Sequence, residues 1–212
     1  MSTAARPTRI GVFGGAFDPP HIAHVALVKA AIAQFTLDAV HVLPTGAAWH
    51  KPRELSAAEH RLAMTRLAFD SQDTVVVDDR EIRRPGPTYT ADTLRELARE
   101  GTSQGPGAAL YLIIGADQAA ALTTWHDWRS ILSLATICVA VRDQCTRASG
   151  AFDAENPPPE LAGGRFESLN FESTPVSATD IRARVARGQD ISALVAPAVA
   201  RYIAQHHLYQ TT

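Results

Sequence analysis

Ile10 to Phe13 form a short apolar run ending in Gly14-Gly15, and Asp18-Pro19-Pro20-His21-Ile22-Ala23-His24 follows after two residues. A strand feeding a glycine turn and then a helix constrains the fold more than any other stretch, because it is the opening unit of a doubly wound parallel sheet. Asp is a preferred helix cap, and proline suits a first helical turn whose amides have no intrahelical acceptor. The spacing therefore predicts a helix beginning between Asp18 and His21. His21 and His24, three apart, then share one face of its first turn. The free amides of the glycine turn and the positive end of the helix dipole converge on one point, which suits a phosphate group.

The remainder of the chain alternates short apolar runs with longer amphipathic ones. Strands are predicted at 9–13, 39–43, 74–78, 109–114, 136–141 and 166–169. Helices are predicted at 20–35, 57–69, 91–100, 128–134, 179–187 and 196–206. The runs at 39–43 and 110–114 are mostly apolar, as strands covered on both faces should be. The expected architecture is an α/β, Rossmann-like parallel sheet with helices on both faces, forming a single domain over residues 1–212. Residues 1–8 are expected to be flexible. The polar segment 143–164, with Pro157-Pro158-Pro159, reads as a loop insertion within that domain.

Composition bounds the partners. The formal net charge of −2 gives no electrostatic reason to expect nucleic acid or a membrane surface. No run is long and apolar enough to span a bilayer, and the first residues lack the apolar core of a signal peptide, so a cytoplasmic protein is expected. Cys138 and Cys145 are too few for a metal or disulfide framework, and Cys138 reads as a small buried hydrophobe. Oligomeric state leaves no trace in the chain.

Further polar stretches fall just after predicted strands, where this fold places ligands. They are His50-Lys51 after the second strand, Tyr89-Thr90 after the third, and Gly115-Ala116-Asp117 with Trp125-His126 after the fourth. Arg142 follows the fifth strand. Near the end, Ser177-Ala178-Thr179-Asp180-Ile181-Arg182 places small hydroxyls before a helix and an arginine in its first turn. Thr90 reads as a helix cap, and a capped helix start also offers amides to an anion. The glycine turn is neither a Walker loop nor a Gly-x-Gly-x-x-Gly fingerprint.

Taken in order, Gly14-Gly15-x-Phe17-Asp18-Pro19-x-His21-x-x-His24 and these later stretches resemble the His-x-Gly-His nucleotidylyltransferases. The similarity is strongest to the bacterial nicotinate mononucleotide adenylyltransferases and runs from about Arg9 to Tyr209. That resemblance implies an enzyme of NAD biosynthesis that joins ATP and nicotinate mononucleotide to give deamido-NAD and pyrophosphate. It implies ATP contacts from Gly14, Gly15, Ala16, Phe17, His21, His24, Ser177, Thr179, Ile181 and Arg182, with His21, His24 and Arg182 catalytic. Substrate contacts are implied for His50, Lys51, Tyr89, Thr90, Gly115, Asp117, Trp125, His126 and Arg142. Trp125 would stack on the pyridine ring, and Mg²⁺ would arrive on ATP, since no carboxylate cage is evident.

Two positions depart from the family pattern. Ala16 replaces the usual Thr or Ser, and Ala23 the usual Gly between the histidines, so weaker or shifted ATP contacts are expected rather than loss of activity. Three other readings compete. Another transferase of the superfamily would act on pantetheine phosphate or a cytidine nucleotide. A hydrolase would hold a metal with His21, His24 and Asp18. A non-catalytic nucleotide sensor would keep the phosphate-binding pair alone.

Overall fold

The computed structural model describes residues 6–46, 55–103, 107–142, 152–172 and 174–210. All six expected strands form: β1 (Thr8–Gly15), β2 (Ala39–Pro44), β3 (Val75–Val77), β4 (Ala108–Gly115), β5 (Ala135–Arg142) and β6 (Arg165–Phe171). They make one sheet in the order β3-β2-β1-β4-β5-β6. The order reverses direction between β1 and β4, and open α/β sheets bind ligands beyond the carboxyl ends of strands at such a switch. β1 pairs with β4 in parallel register, Ile10 opposite Leu110 and Val12 opposite Leu112. β5 continues the parallel sheet with Ile137 beside Leu112, and β6 with Phe166 beside Ile137.

Consecutive buried residues explain the central strands. Leu112, Ile113 and Ile114 of β4 and Ile137, Cys138, Val139 and Ala140 of β5 are all buried, the pattern of strands covered on both faces. Burial also pushes the Cys138 thiol up to about 12, so it is an inert apolar group at neutral pH. Gly11 of β1 allows the next crossover to pack closely, since a Cβ there would meet Leu37 at 2.8 Å and Val40 at 2.9 Å.

Six longer helices match the expected ones: α1 (Ile22–Phe35), α2 (Ala58–Phe69), α4 (Thr90–Ser103), α6 (Trp128–Leu134), α7 (Ala178–Ala186) and α8 (Pro197–Gln205). Two short ones, α3 (Arg80–Arg83) and α5 (Ala116–Ala120), were not anticipated, because four or five residues carry no readable period. A 3₁₀ turn at Pro159–Leu161 likewise interrupts the segment read as loop, while 143–151 lies outside the described residues. Among the described residues no helix is long and apolar enough to cross a membrane.

The chain divides into two compact units. One comprises Met1–Gly14, Val28–His41 and Tyr89–Glu172; the other comprises Gly15–Leu27, Val42–Thr88 and Ser173–Thr212.

Candidate active site

The second unit holds the histidine pair. Gly15 ends β1, and its carbonyl accepts the Thr45 amide at 2.8 Å. A Cβ at Gly15 would lie 2.9 Å from the Phe17 ring, so only glycine fits beneath that side chain. Phe17 takes a left-handed φ of 47° and is almost fully buried. Its ring meets His24 edge-on, 5.2 Å between centroids.

The turn into α1 differs from the expectation. The helix starts at Ile22, and the His21 carbonyl accepts the amides of His24 at 2.9 Å and Val25 at 3.4 Å, so His21 holds the cap position. Asp18 does not cap the helix, because its carboxylate is drawn elsewhere. It is 1% exposed, accepting the Tyr209 hydroxyl at 2.6 Å and the Ser56 amide at 3.2 Å. Pro19 and Pro20 are buried in the turn ahead of the helix rather than in its first turn.

His21 and His24 come together as the three-residue spacing predicts, their rings stacked with centroids 3.6 Å apart. The His21 amide donates to Nδ1 of His24 at 3.1 Å. Burial first, and the neighbouring His21 ring second, hold His24 well below the ordinary histidine range. His24 is therefore neutral at pH 7, and with Nδ1 accepting, its proton sits on Nε2 as a hydrogen-bond donor.

That depressed value makes stability depend on pH. Between the folded pKa and the unfolded value near 6.5, only the unfolded chain takes up this proton, so acidification favours unfolding. The contribution is present above about pH 6.5 and is lost as pH falls toward the folded pKa. Urea unfolding at pH 7.5 and 5.5 is expected to show a smaller loss of stability on acidification in His24→Asn than in the wild type. Equal losses would mean that His24 titrates normally.

Arginines complete this cluster. Arg182 donates through Nη1 to the Asp18 carbonyl at 2.7 Å and through Nη2 to Thr179 Oγ1 at 3.0 Å. Ser177 caps α7 by accepting the Asp180 amide at 3.1 Å. Ile181 is buried, and its amide bonds the Ser177 carbonyl at 3.0 Å. Sequence reading passed over Arg61, which is 2% exposed and donates to the carbonyls of Ser56 at 3.0 Å, Ala16 at 3.1 Å and Gly46 at 3.4 Å. It was detectable: Arg61, Met64, Thr65 and Ala68 share the buried stripe of α2, and a charge there needs partners. His50 and Lys51 lie outside the described residues.

The first unit holds the remaining expected contact residues. Gly14, exposed at the end of β1, belongs here, with open space where a side chain would be. At the end of β4 the Gly115 amide donates to Gln118 Oε1 at 3.1 Å, and a Cβ there would meet the Asp117 carboxylate at 2.6 Å. Asp117 is exposed in the first turn of α5. Tyr89 and His126 stack with ring centroids 4.1 Å apart, which brings the start of α4 beside the Trp125-His126 segment. The cap position of α4 falls to Tyr89, whose carbonyl accepts the amides of Asp92 at 3.1 Å and Thr93 at 3.3 Å; Thr90 is the first helical residue. Trp125 is half-buried and His126 exposed. Asp127 follows in a left-handed conformation, bonded to Arg95 and to Ser130 Oγ, so Arg95 ties α4 to the segment carrying Trp125. Arg142 closes β5, and its side chain lies outside the description.

Chemically, the second unit offers a neutral imidazole donor, a stacked partner ring and an arginine. Such a set can bind and orient an anion and offers no base to a side-chain nucleophile. Among the described residues no three His, Cys, Asp or Glu converge to hold a metal.

The cytidylyltransferase-like family pattern matches residues 12–184. A probable nicotinate-nucleotide adenylyltransferase from Albidiferax ferrireducens is 56% identical over 203 residues, spanning 96% of this chain and 98% of the relative. One from Methylibium petroleiphilum is 40% identical, spanning 97% of this chain and 94% of its own. A solved Plasmodium falciparum nicotinic acid mononucleotide adenylyltransferase, complexed with NaAD, shares the fold: TM-score 0.73 at 18% identity, covering 95% of this chain and 97% of that one.

Proposed function

Because the chain belongs to the nicotinate-nucleotide adenylyltransferase family, within the cytidylyltransferase-like group, we infer that it joins ATP to nicotinate mononucleotide, giving deamido-NAD and pyrophosphate. The observation that carries this reading is the stacked His21–His24 pair at the start of α1, with Arg182 bound to the same turn.

The mononucleotide phosphate is already an oxyanion at pH 7 and attacks the α-phosphorus of ATP without a general base. Catalysis then consists of alignment and of stabilising charge as pyrophosphate leaves. Nε2 of His24 donates to an ATP phosphate oxygen, and His21 lies against it to do the same. Arg182 supplies the formal positive charge that a neutral His24 cannot. Its contacts to Asp18 and Thr179 hold the guanidinium plane in place before substrate arrives. Gly14, Gly15, Ala16 and Phe17 shape the backbone beside the phosphates, with Ser177 and Ile181 at the start of α7 and Lys51 as a further phosphate contact. MgATP is the substrate form, the ion held by phosphates and water.

The mononucleotide falls to Gly115, Asp117, Tyr89, Thr90, Trp125 and His126, with His50 and Arg142 as further contacts. Asp117 would accept from substrate hydroxyls, and Trp125 would stack on the pyridine. A cytoplasmic location belongs to the same proposal. The hydrolase alternative needs Asp18 beside the histidines as a metal ligand, whereas its carboxylate faces Tyr209 and Ser56. Incubation with MgATP and nicotinate mononucleotide is expected to release pyrophosphate. Release instead with pantetheine phosphate, or with CTP and an alcohol phosphate, would replace this reading with the other transferase.

Trp125→Ala is expected to raise KM for the mononucleotide several-fold and leave KM for ATP nearly unchanged, since a lost aromatic stack is worth roughly 0.5–1.5 kcal/mol beyond its area. Steady-state kinetics with each substrate varied in turn decides it. A parallel rise in both constants, or an unfolded variant, would make Trp125 a packing residue.

A further inference from the structure

The turn that carries the histidines is gripped by three distant segments of the second unit. Tyr209, 191 residues away, donates its hydroxyl to Asp18 Oδ1 at 2.6 Å. The Ser56 amide takes Oδ2 at 3.2 Å, and Arg182 takes the Asp18 carbonyl at 2.7 Å. We propose that Tyr209 is a positioning residue: through Asp18 it holds the His21–His24 pair in the arrangement that binds the ATP phosphates. The proposal rests on the reaction assigned above.

Three observations support it. Asp18 is 1% exposed, so its carboxylate depends on protein donors, and removing one leaves an acceptor that must find water. A carboxylate short of one donor favours a shift of the turn toward new partners. Asp18 directly follows Phe17, whose strained φ of 47° sets a ring edge-on against His24. On the other side the Ile22 amide is fixed to the Leu194 carbonyl at 3.1 Å, so a shift at Asp18 falls on the residues between, His21 included. The donor itself is dependable: burial, and then Asp18, raise the Tyr209 pKa, which keeps the hydroxyl protonated at any pH the enzyme meets. Tyr209 also has a left-handed φ of 62°, and its hydroxyl lies 3.9 Å from Met64 Sδ, which places the tip of the side chain against α2.

A residue that only fastened the last turn of chain would affect melting and nothing else. A positioning residue changes the phosphate site. Tyr209→Phe keeps the ring and removes the hydroxyl. We expect kcat per folded enzyme to fall on the order of ten- to hundredfold, as misplacement by about 1 Å commonly costs. KM for ATP should rise, and KM for nicotinate mononucleotide should stay within about twofold. Imidazole NMR signals of His21 and His24 should shift, with the His24 titration midpoint moving up toward the ordinary histidine range. Asp18→Ala, which removes both acceptor oxygens, is the second variant. If Tyr209 acts through Asp18, the double variant loses little more than the worse single one.

Additive losses, or a lowered melting temperature with kcat and histidine signals unchanged, would overturn the proposal. If Tyr209→Phe does not fold, Asp18→Ala is read by the same signals, and an unmoved histidine pair is again a refutation. A wild type inactive with MgATP and nicotinate mononucleotide would refute the assigned reaction, and the histidine signals alone would then decide the positioning role.

Discussion

His21→Ala is expected to lower kcat by on the order of a hundredfold or more, the usual cost of deleting one donor from a preorganised anion site. The ring is 8% exposed and stacked on His24, so the substitution removes the proposed phosphate contact and the surface against which the neighbouring ring packs. Folding should survive. The helix start depends on the His21 carbonyl and amide, and the amide still reaches Nδ1 of His24 after the side chain is gone. The loss should fall on kcat more than on KM for the mononucleotide, because the interaction strengthens as pyrophosphate departs. Steady-state kinetics alongside thermal melting tests this. Near-normal turnover in a variant that melts like the wild type would remove His21 from the mechanism.

The second large effect is the choice between acid and amide. Nicotinate mononucleotide is expected to be used with kcat/KM at least tenfold to a hundredfold above nicotinamide mononucleotide. A helix start leaves its first amides without intrahelical acceptors and carries the positive end of the dipole. The Tyr89–His126 stack brings the start of α4 beside Trp125, so a pyridine ring stacked there would present its substituent to the Thr90 amide. A carboxylate accepts at both oxygens. The amide must turn an NH₂ toward a donor, at a cost of about 1–3 kcal/mol for the unpaired group. Backbone amides outlast side-chain substitution, so Thr90→Ala should keep the preference in reduced form. Equal kcat/KM for the two mononucleotides would show that this cluster is no anion site.

Much of the architecture was legible because burial writes itself into composition. Leu112, Ile113 and Ile114 form an unbroken buried run within β4, whereas β6 was readable from alternation, with Phe166, Leu169 and Phe171 set among polar residues. The histidine pair was legible from spacing alone. The start of α1 was not. Asp18 has the chemistry of a cap, but its partners, Ser56 and Tyr209, lie 38 and 191 residues away and no local pattern announces them. The same holds for Tyr89 with His126, brought together by the sheet and not by proximity in the chain. Arg61 was readable in principle, since an arginine on an apolar helical stripe must satisfy its guanidinium inside.

The division of the chain sets an order of events at the ribosome. The unit with the histidine pair draws on Gly15–Leu27, Val42–Thr88 and Ser173–Thr212. Its first segment is therefore made long before its last. Synthesis proceeds at roughly 5–20 residues per second, so Asp18 waits on the order of ten seconds or more for Tyr209 to be joined to the chain. Through that interval β1, β4, β5 and β6 can pair, because both strands of each pair precede residue 173. The parallel sheet around β4 can therefore pair before the turn that carries the histidines receives its last contact, from Tyr209.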